Sequence, residues 1–203
     1  MKLLSYLRKM PIDLGQKEFR LCTKGSLIAM ELSGEGNNGK ALDAGCGDGF
    51  WSEKLKKAGW QVTSIDLKSD YSGCIDHDLN LDMPIPDNSF DLVVSTSVIG
   101  YLSRPEHFIK EIRRVLKPEG IFIITTPNCN FWLNYILGIF GYSLKGFLDS
   151  TQKNFFYFEE IERLFPNEKI LGYFPYFLAK ARISKFVGLL SPTFIVVGKK
   201  GSC

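Results

Sequence analysis

Two acids, Asp43 and Asp66, each close a short apolar run, and directly after the first stand three glycines, Gly45, Gly47 and Gly49. Glycines let the main chain turn sharply from a strand into a helix and leave no Cβ to keep a ligand away from the backbone N–H groups. Such a turn holds a nucleotide-like ligand. Asp66 lies nineteen residues beyond Gly47, the place from which a carboxylate hydrogen-bonds the hydroxyls of a ribose. In the dinucleotide pattern GxGxxG the third glycine would fall at residue 50, which is Phe50 here. Asp43 would also repel a pyrophosphate, whereas a ligand carrying an ammonium group tolerates it. Spacing and charge therefore point away from a nicotinamide dinucleotide.

Other chemistry-bearing residue types are sparse. Five cysteines (Cys22, Cys46, Cys74, Cys129, Cys203) form no CxxC pair, and His77 and His107 are the only histidines, so no metal site and no disulfide framework is expected. Cys46, inside the glycine turn, reads as a small packing residue with nothing near it in sequence to make a thiolate. The formal charge of +3 arises from 25 basic and 22 acidic residues spread along the chain, with no basic stripe for nucleic acid. There is neither an Asn/Asp-Pro-Pro-Tyr segment for a flipped base nor a Pro-Cys nucleophile for cytosine.

The elements that must position these residues are legible from patterning. Lys40 to Asp43 reads as a first strand; Trp51, Leu55 and Ala58 give the next helix one apolar face, and Gly59 stops it. Gln61 to Asp66 reads as a second strand, Phe90 to Ser95 and Ile121 to Thr125 as strands buried on both faces. Between those two lies a helix: Ser103-Arg-Pro-Glu106 reads as its capping box, and Phe108, Ile109, Ile112, Val115 and Leu116 as its apolar face. Phe158 to Phe165 predicts a short helix before Pro166, and Lys169 to Phe174 and Thr193 to Gly198 predict strands. With 203 residues, 45% of them hydrophobic, the chain suits one α/β domain with a full core.

Asp43-Ala-Gly-Cys-Gly-Asp-Gly49 resembles motif I of the class I S-adenosylmethionine-dependent methyltransferases, and later blocks follow in step. His77-Asp-Leu-Asn80 with Met83 to Val93, the segment Ser95 to Leu102, and Glu111 to Asn128 are similar to the family's successive blocks. The resemblance is to the small-molecule members, such as those of quinone biosynthesis, and covers residues 40 to 128. It implies a single Rossmann-like domain with a mainly parallel seven-stranded sheet, helices on both faces and the last strand antiparallel. It implies S-adenosylmethionine as cofactor, S-adenosylhomocysteine as product and a small-molecule acceptor. By resemblance the cofactor-binding residues are Asp43, Gly45, Cys46, Gly47, Asp66, Leu67, Asp78, Leu79 and Ser95, with Asp66 on the ribose and Asp78 on the adenine amino group. Ser97, Tyr101 and Asn128 are the substrate-side candidates, and no metal is implied. A catalytically silent, cofactor-binding partner subunit is the alternative.

Two departures stand out. Only eleven residues separate Asp66 from Asp78, so the helix usual at that point is expected to be a loop. Gly100 and Tyr101 occupy the place of a Glu-His pair found in many small-molecule members. The expected organisation is one domain over 1–203: an N-terminal helical cap (1–38), a cofactor-binding core (39–128), a lid or substrate-side insertion (129–165) and the final strands (166–203). The start lacks a signal-peptide pattern, and the expectation is a cytoplasmic protein. Phe131 to Leu148 is apolar but interrupted, too broken for a spanning helix. It is read as a core cover, or as a lid or interfacial helix for an apolar acceptor or a membrane surface. Oligomeric state is not legible.

Overall fold

The computed structural model describes residues 24–139, 151–174 and 181–201. The expectations for residues 1–23, for 140–148 of the apolar stretch, and for Cys22 and Cys203 lie outside the described residues. Eight strands form one sheet: β1 (Lys40–Ala44), β2 (Gln61–Asp66), β3 (Cys74–Asp76), β4 (Phe90–Thr96), β5 (Leu116–Pro127), β6 (Lys169–Tyr173), β7 (Arg182–Ile183) and β8 (Thr193–Lys199). Among the described residues six α-helices accompany them: α1 (Lys24–Ser33), α2 (Phe50–Lys57), α3 (Pro105–Val115), α4 (Trp132–Ile139), α5 (Phe158–Leu164) and α6 (Val187–Leu190). The strand order is β3-β2-β1-β4-β5-β8-β6-β7. β1 to β5 pair in parallel, β8 runs antiparallel to β5, and β6 and β7 continue antiparallel beyond it. Seven strands were expected; the eighth is the two-residue β7, which pairs Gly172 with Ile183 and Tyr173 with Arg182 along the free side of β6.

The near-continuous apolar strands are explained by two cores, one on each face. Successive side chains point to opposite faces, so Ala41, Leu92, Val94, Ile123 and Ile195 pack with Ile28 and Ala29 of α1 and Leu55 of α2. Their neighbours Leu42, Val93, Phe122, Ile124 and Phe194 pack with Phe108 and Ile112 of α3 and Ile161 of α5. Each such large side chain removed from water contributes about 1.5–3 kcal/mol.

Two local details differ from or extend the sequence reading. The expected capping box is not formed: Arg104 is the N-cap of α3 with no side-chain cap, and Pro105 opens the helix. Ser103 is engaged otherwise, its Oγ accepting from Lys153 Nζ at 2.7 Å, while Asn80 Oδ1 accepts the N–H groups of Ser103 and Arg104. At the far end of α3, Arg114 donates to Glu111, Asp87, and the carbonyls of Met83 and Ile85, and Glu111 accepts the Met83 N–H. That cluster fixes the turn before β4. Between β2 and β3 the chain runs as a loop over 67–73, as the short spacing requires.

Candidate functional site

Sheet order reverses between β1 and β4, and a cavity of about 520 Å³ opens there, at the carboxyl ends of β1, β2 and β4. Crevices at such a switch point are where open α/β sheets bind ligands. The glycine turn forms its floor. Gly45, Gly47 and Gly49 all have positive φ, at 85°, 56° and 81°. A Cβ on Gly45 would collide with Val98, and one on Gly49 with Tyr71. A Cβ on Gly47 would meet nothing within 4 Å, because that residue faces the open cavity. The N–H groups of Gly45 and Cys46 both donate to the Ile65 carbonyl, stitching the turn to the end of β2.

Carboxylates mark the two ends of strand-derived wall. Asp66 accepts the Gly47 N–H on Oδ2 at 2.8 Å and the Leu67 N–H on Oδ1 at 2.7 Å. Asp78, just past β3, accepts the backbone N–H of Asn80 at 2.9 Å and its side-chain amide at 2.7 Å. Those bonds hold the Asp78 carboxyl below the usual carboxylate range. Leu67 and Leu79 line the same wall.

Asp43 is placed differently: it is fully buried beneath the turn rather than on the cavity surface. Its Oδ2 accepts from Ser52 Oγ at 2.6 Å, and Ser52 in turn contacts Ser64 Oγ at 2.8 Å. Its Oδ1 is buried with no hydrogen-bond partner. Desolvation, opposed by the Ser52 bond and aided by the repulsion of Asp66, raises its pKa to about 6. Ser95 is also fully buried, its Oγ unpartnered, and stands outside the cavity lining.

Of the substrate-side candidates, Ser97 and Tyr101 line the cavity. Ser97 has a positive φ of 59°, and its N–H donates to the Thr125 carbonyl and Oγ1. Asn128 does not join them. It is 3% exposed, and its amide donates to the carbonyls of Val187, Gly188 and Ser191 while its Oδ1 accepts the Asn130 N–H. It clamps α6 against the end of β5.

Sequence reasoning missed part of the lining: Trp51, Asn80 and Lys153. Asn80 was signalled by its place in His77-Asp-Leu-Asn80. Lys153 was not, since it arrives from a segment with no motif. Residues 152–154 cross over the turn after β4: the N–H groups of Lys153 and Asn154 both donate to the Gly100 carbonyl, and Asn154 Nδ2 donates to Leu102 O. A Cβ on Gly100 would stand 2.8 Å from the Gln152 amide nitrogen and push that side chain aside. Tyr101 and Gly100, where a Glu-His pair was noted as absent, thus serve as wall and crossing point. A second cavity, about 590 Å³, lies between α5 and α6, bordered by Glu159, Glu162 and Phe186, away from the carboxyl ends of β1, β2 and β4. No group of three or more His, Cys, Asp or Glu among the described residues could hold a metal ion.

A switch-point crevice with this glycine turn and a carboxylate after β2 and after β3 defines the Rossmann-like fold of the class I S-adenosylmethionine-dependent methyltransferases. Residues 42–124 match the family model described as a methyltransferase domain. The chain is 30% identical over 143 residues to the ubiquinone biosynthesis O-methyltransferase of Bradyrhizobium diazoefficiens, covering 64% of this chain and 56% of that one. It is 36% identical over 94 residues to the malonyl-[acyl-carrier protein] O-methyltransferase of Buchnera aphidicola, covering 42% and 38%. The chain thus spans less than two thirds of the length of these relatives. Among solved structures, a SAM-dependent methyltransferase from Thermotoga maritima superposes with a TM-score of 0.67 at 18% identity, covering 98% of this chain and 96% of that one. Another from Archaeoglobus fulgidus gives 0.65 at 18% identity, covering 90% and 97%. At that identity the likeness is one of fold.

The family's cofactor is S-adenosylmethionine, and the residues present fit it. Gly47 leaves its cavity face bare, Asp66 and Asp78 bring two carboxylates to the lining as hydrogen-bond acceptors, and a buried carboxylate oxygen of Asp43 lacks a partner beneath the turn.

Proposed function

We propose that this protein transfers the methyl group of S-adenosylmethionine to a small-molecule acceptor, releasing S-adenosylhomocysteine. The observation that carries the reading is the convergence of Gly47, Asp66 and Asp78 on one cavity at the switch point. When bound, S-adenosylmethionine supplies a methyl group already activated by its sulfonium. Asp66 would hold the ribose hydroxyls and Asp78 the adenine amino group as hydrogen-bond acceptors, with Leu79 beside Asp78 as part of the same binding wall. Gly45, Cys46 and Gly47 give the backbone surface, and Leu67 the apolar edge. Asp43, from below, supplies the negative charge that favours an ammonium, and Ser95 supports the same strand end. Little more is needed from the protein, because fixing nucleophile, methyl carbon and leaving sulfur in line accounts for most of the rate.

Ser97 and Tyr101 are the side chains we assign to the acceptor side. Tyr101 presents an aromatic wall with a hydroxyl handle, suited to orienting an acceptor hydroxyl. The relatives named for ubiquinone biosynthesis and for malonyl-[acyl-carrier protein] favour a biosynthetic intermediate as acceptor. Apolar character is supported by α4, which exposes Tyr135, Ile136 and Ile139. No helix among the described residues is long and apolar enough to cross a membrane. Calorimetry with S-adenosylhomocysteine followed by a methyl-release assay over hydroxylated and carboxylated acceptors tests the proposal. Tight binding and turnover of one acceptor class is expected; absence of binding overturns it, and binding without turnover on any acceptor leaves a silent binding subunit. Liposome sedimentation tests whether that face meets lipid or an apolar acceptor; a protein that never pellets with lipid and uses a water-soluble acceptor overturns that role.

A further inference from the structure

Cys46, in the centre of the glycine turn, and Cys74, the first residue of β3, are 28 positions apart in sequence and bring their sulfurs to 3.3 Å. Both are free thiols. Cys46 lines the cavity at the switch point, and Ser69 Oγ, 4.0 Å from its sulfur, also donates to the Gly47 carbonyl. Cys129, the third described cysteine, is buried elsewhere and has no thiol beside it among the described residues.

We propose that Cys46 and Cys74 form a reversible disulfide in the ligand-free protein, and that this bond and a nucleoside in the cavity oppose each other. A hydroperoxide is the oxidant. The Cys46 thiolate, reached through the cavity, attacks one peroxide oxygen, the O–O bond breaks, and Cys46 becomes a sulfenic acid while the other oxygen leaves as water after protonation. Cys74 then attacks the Cys46 sulfur, the S–S bond forms, and the sulfenic oxygen leaves as a second water. Two thiols and one hydrogen peroxide thus give one disulfide and two waters, with two electrons passing from sulfur to oxygen.

Burial and the neighbouring thiol push the Cys46 pKa up, so the first step is slow at neutral pH and speeds as pH rises. The second step is fast, because the resolving thiol is already in contact and no chain search is needed. A disulfide holds its sulfurs at about 2.05 Å. Closing the present 3.3 Å gap moves the two sulfurs together by about 1 Å and turns both side chains, loading the glycine turn and β3 that carry them. The loaded turn contains Gly45 and Gly47, and Gly47 donates its N–H to Asp66, so the nucleoside surface is distorted with it. Conversely, a ligand seated on the turn covers Cys46. This opposition rests on the reading given under the proposed function, whereas bond formation does not.

The test treats the reduced full-length protein with hydrogen peroxide and maps its peptides without reduction. A Cys46–Cys74 cross-linked peptide, lighter by two hydrogens and cleaved by dithiothreitol, is expected. Cys74→Ala should bind S-adenosylhomocysteine like the unmodified protein when reduced and yield no cross-link on oxidation. Saturating S-adenosylhomocysteine should slow cross-linking at least fivefold, and the oxidised protein should bind it at least tenfold more weakly until reduced. Cys46 and Cys74 remaining unlinked under peroxide that oxidises Cys129 overturns the bond. A bond that forms with unchanged ligand affinity overturns the opposition while the proposed function stands. A cross-link in a protein that never binds S-adenosylhomocysteine, even reduced, keeps the bond and overturns the proposed function.

Discussion

Asp66 Oδ2 accepts the backbone N–H of Gly47 at 2.8 Å, tying the acid that ends β2 to the centre of the glycine turn. Its other oxygen accepts the Leu67 N–H. The carboxylate is thereby oriented before any ligand arrives, and it still has lone pairs free to accept from hydroxyls. Preorganisation of this kind avoids spending binding energy on fixing a side chain.

Removing Asp66 should therefore weaken the ligand rather than the fold. Charge-assisted hydrogen bonds contribute about 1.5–3 kcal/mol, so Asp66→Ala should lose roughly ten- to a hundredfold in affinity for S-adenosylhomocysteine by calorimetry. Asp66→Asn should lose less, because one oxygen remains to accept the Gly47 N–H. Equal affinity in all three proteins would remove Asp66 from the nucleoside site.

Gly45 and Gly47 should separate stability from binding. Both have positive φ, which costs an L-residue about 1–2 kcal/mol. Gly45→Ala adds a clash with Val98, whereas Gly47→Ala points its methyl into the open cavity. The first should lower the thermal midpoint markedly more than the second, and the second should lose more ligand affinity than its stability loss explains. Thermal unfolding beside calorimetry measures both.

Asn128 stands at the boundary of what the sequence could tell. Its position after the fifth strand suggested a place beside the acceptor, but three carbonyls from residues 187–191 take its amide. Asn128→Ala should cost about 2 kcal/mol or more in denaturant unfolding, since it leaves buried carbonyls without donors. The Michaelis constants of the fraction that remains folded should stay unchanged.

The contrast has a physical basis. Strands β1, β2, β4, β5, β6 and β8, the glycine turn, the place of Asp66 at the end of β2 and the helix-free loop before Asp78 were legible because each is written locally, as a period, a positive-φ requirement or a spacing. Asn128 and Lys153 were not, because their roles depend on segments 50 to 63 residues away that tertiary packing brings in. Capping of α3 failed to follow its local pattern for the same reason: Lys153 competes for the Ser103 hydroxyl. Burial of Asp43 also escaped the sequence, since an acid ending a strand can face the crevice or lie beneath it.

That burial gives a pH signature. The pKa of Asp43 rises from 3.8 to about 6, chiefly through desolvation. Below about pH 4 the group is protonated in both folded and unfolded chains and has no effect. Between about 4 and 6 the folded state holds a proton that the unfolded state has released, so this group's contribution to stability falls as pH rises. Above about 6 the full cost of a buried carboxylate applies, about 3 kcal/mol for two pKa units. Asp43→Asn keeps an acceptor for Ser52 and carries no charge. It should be more stable than the unmodified protein at pH 7.5, by up to about 3 kcal/mol, and the difference should vanish near pH 4. The same substitution should weaken S-adenosylhomocysteine most above pH 6, where the unmodified carboxylate is charged. Urea unfolding and calorimetry at pH 4.5, 6 and 7.5 would show both trends, and a stability difference independent of pH would mean that the Asp43 carboxyl does not titrate near 6.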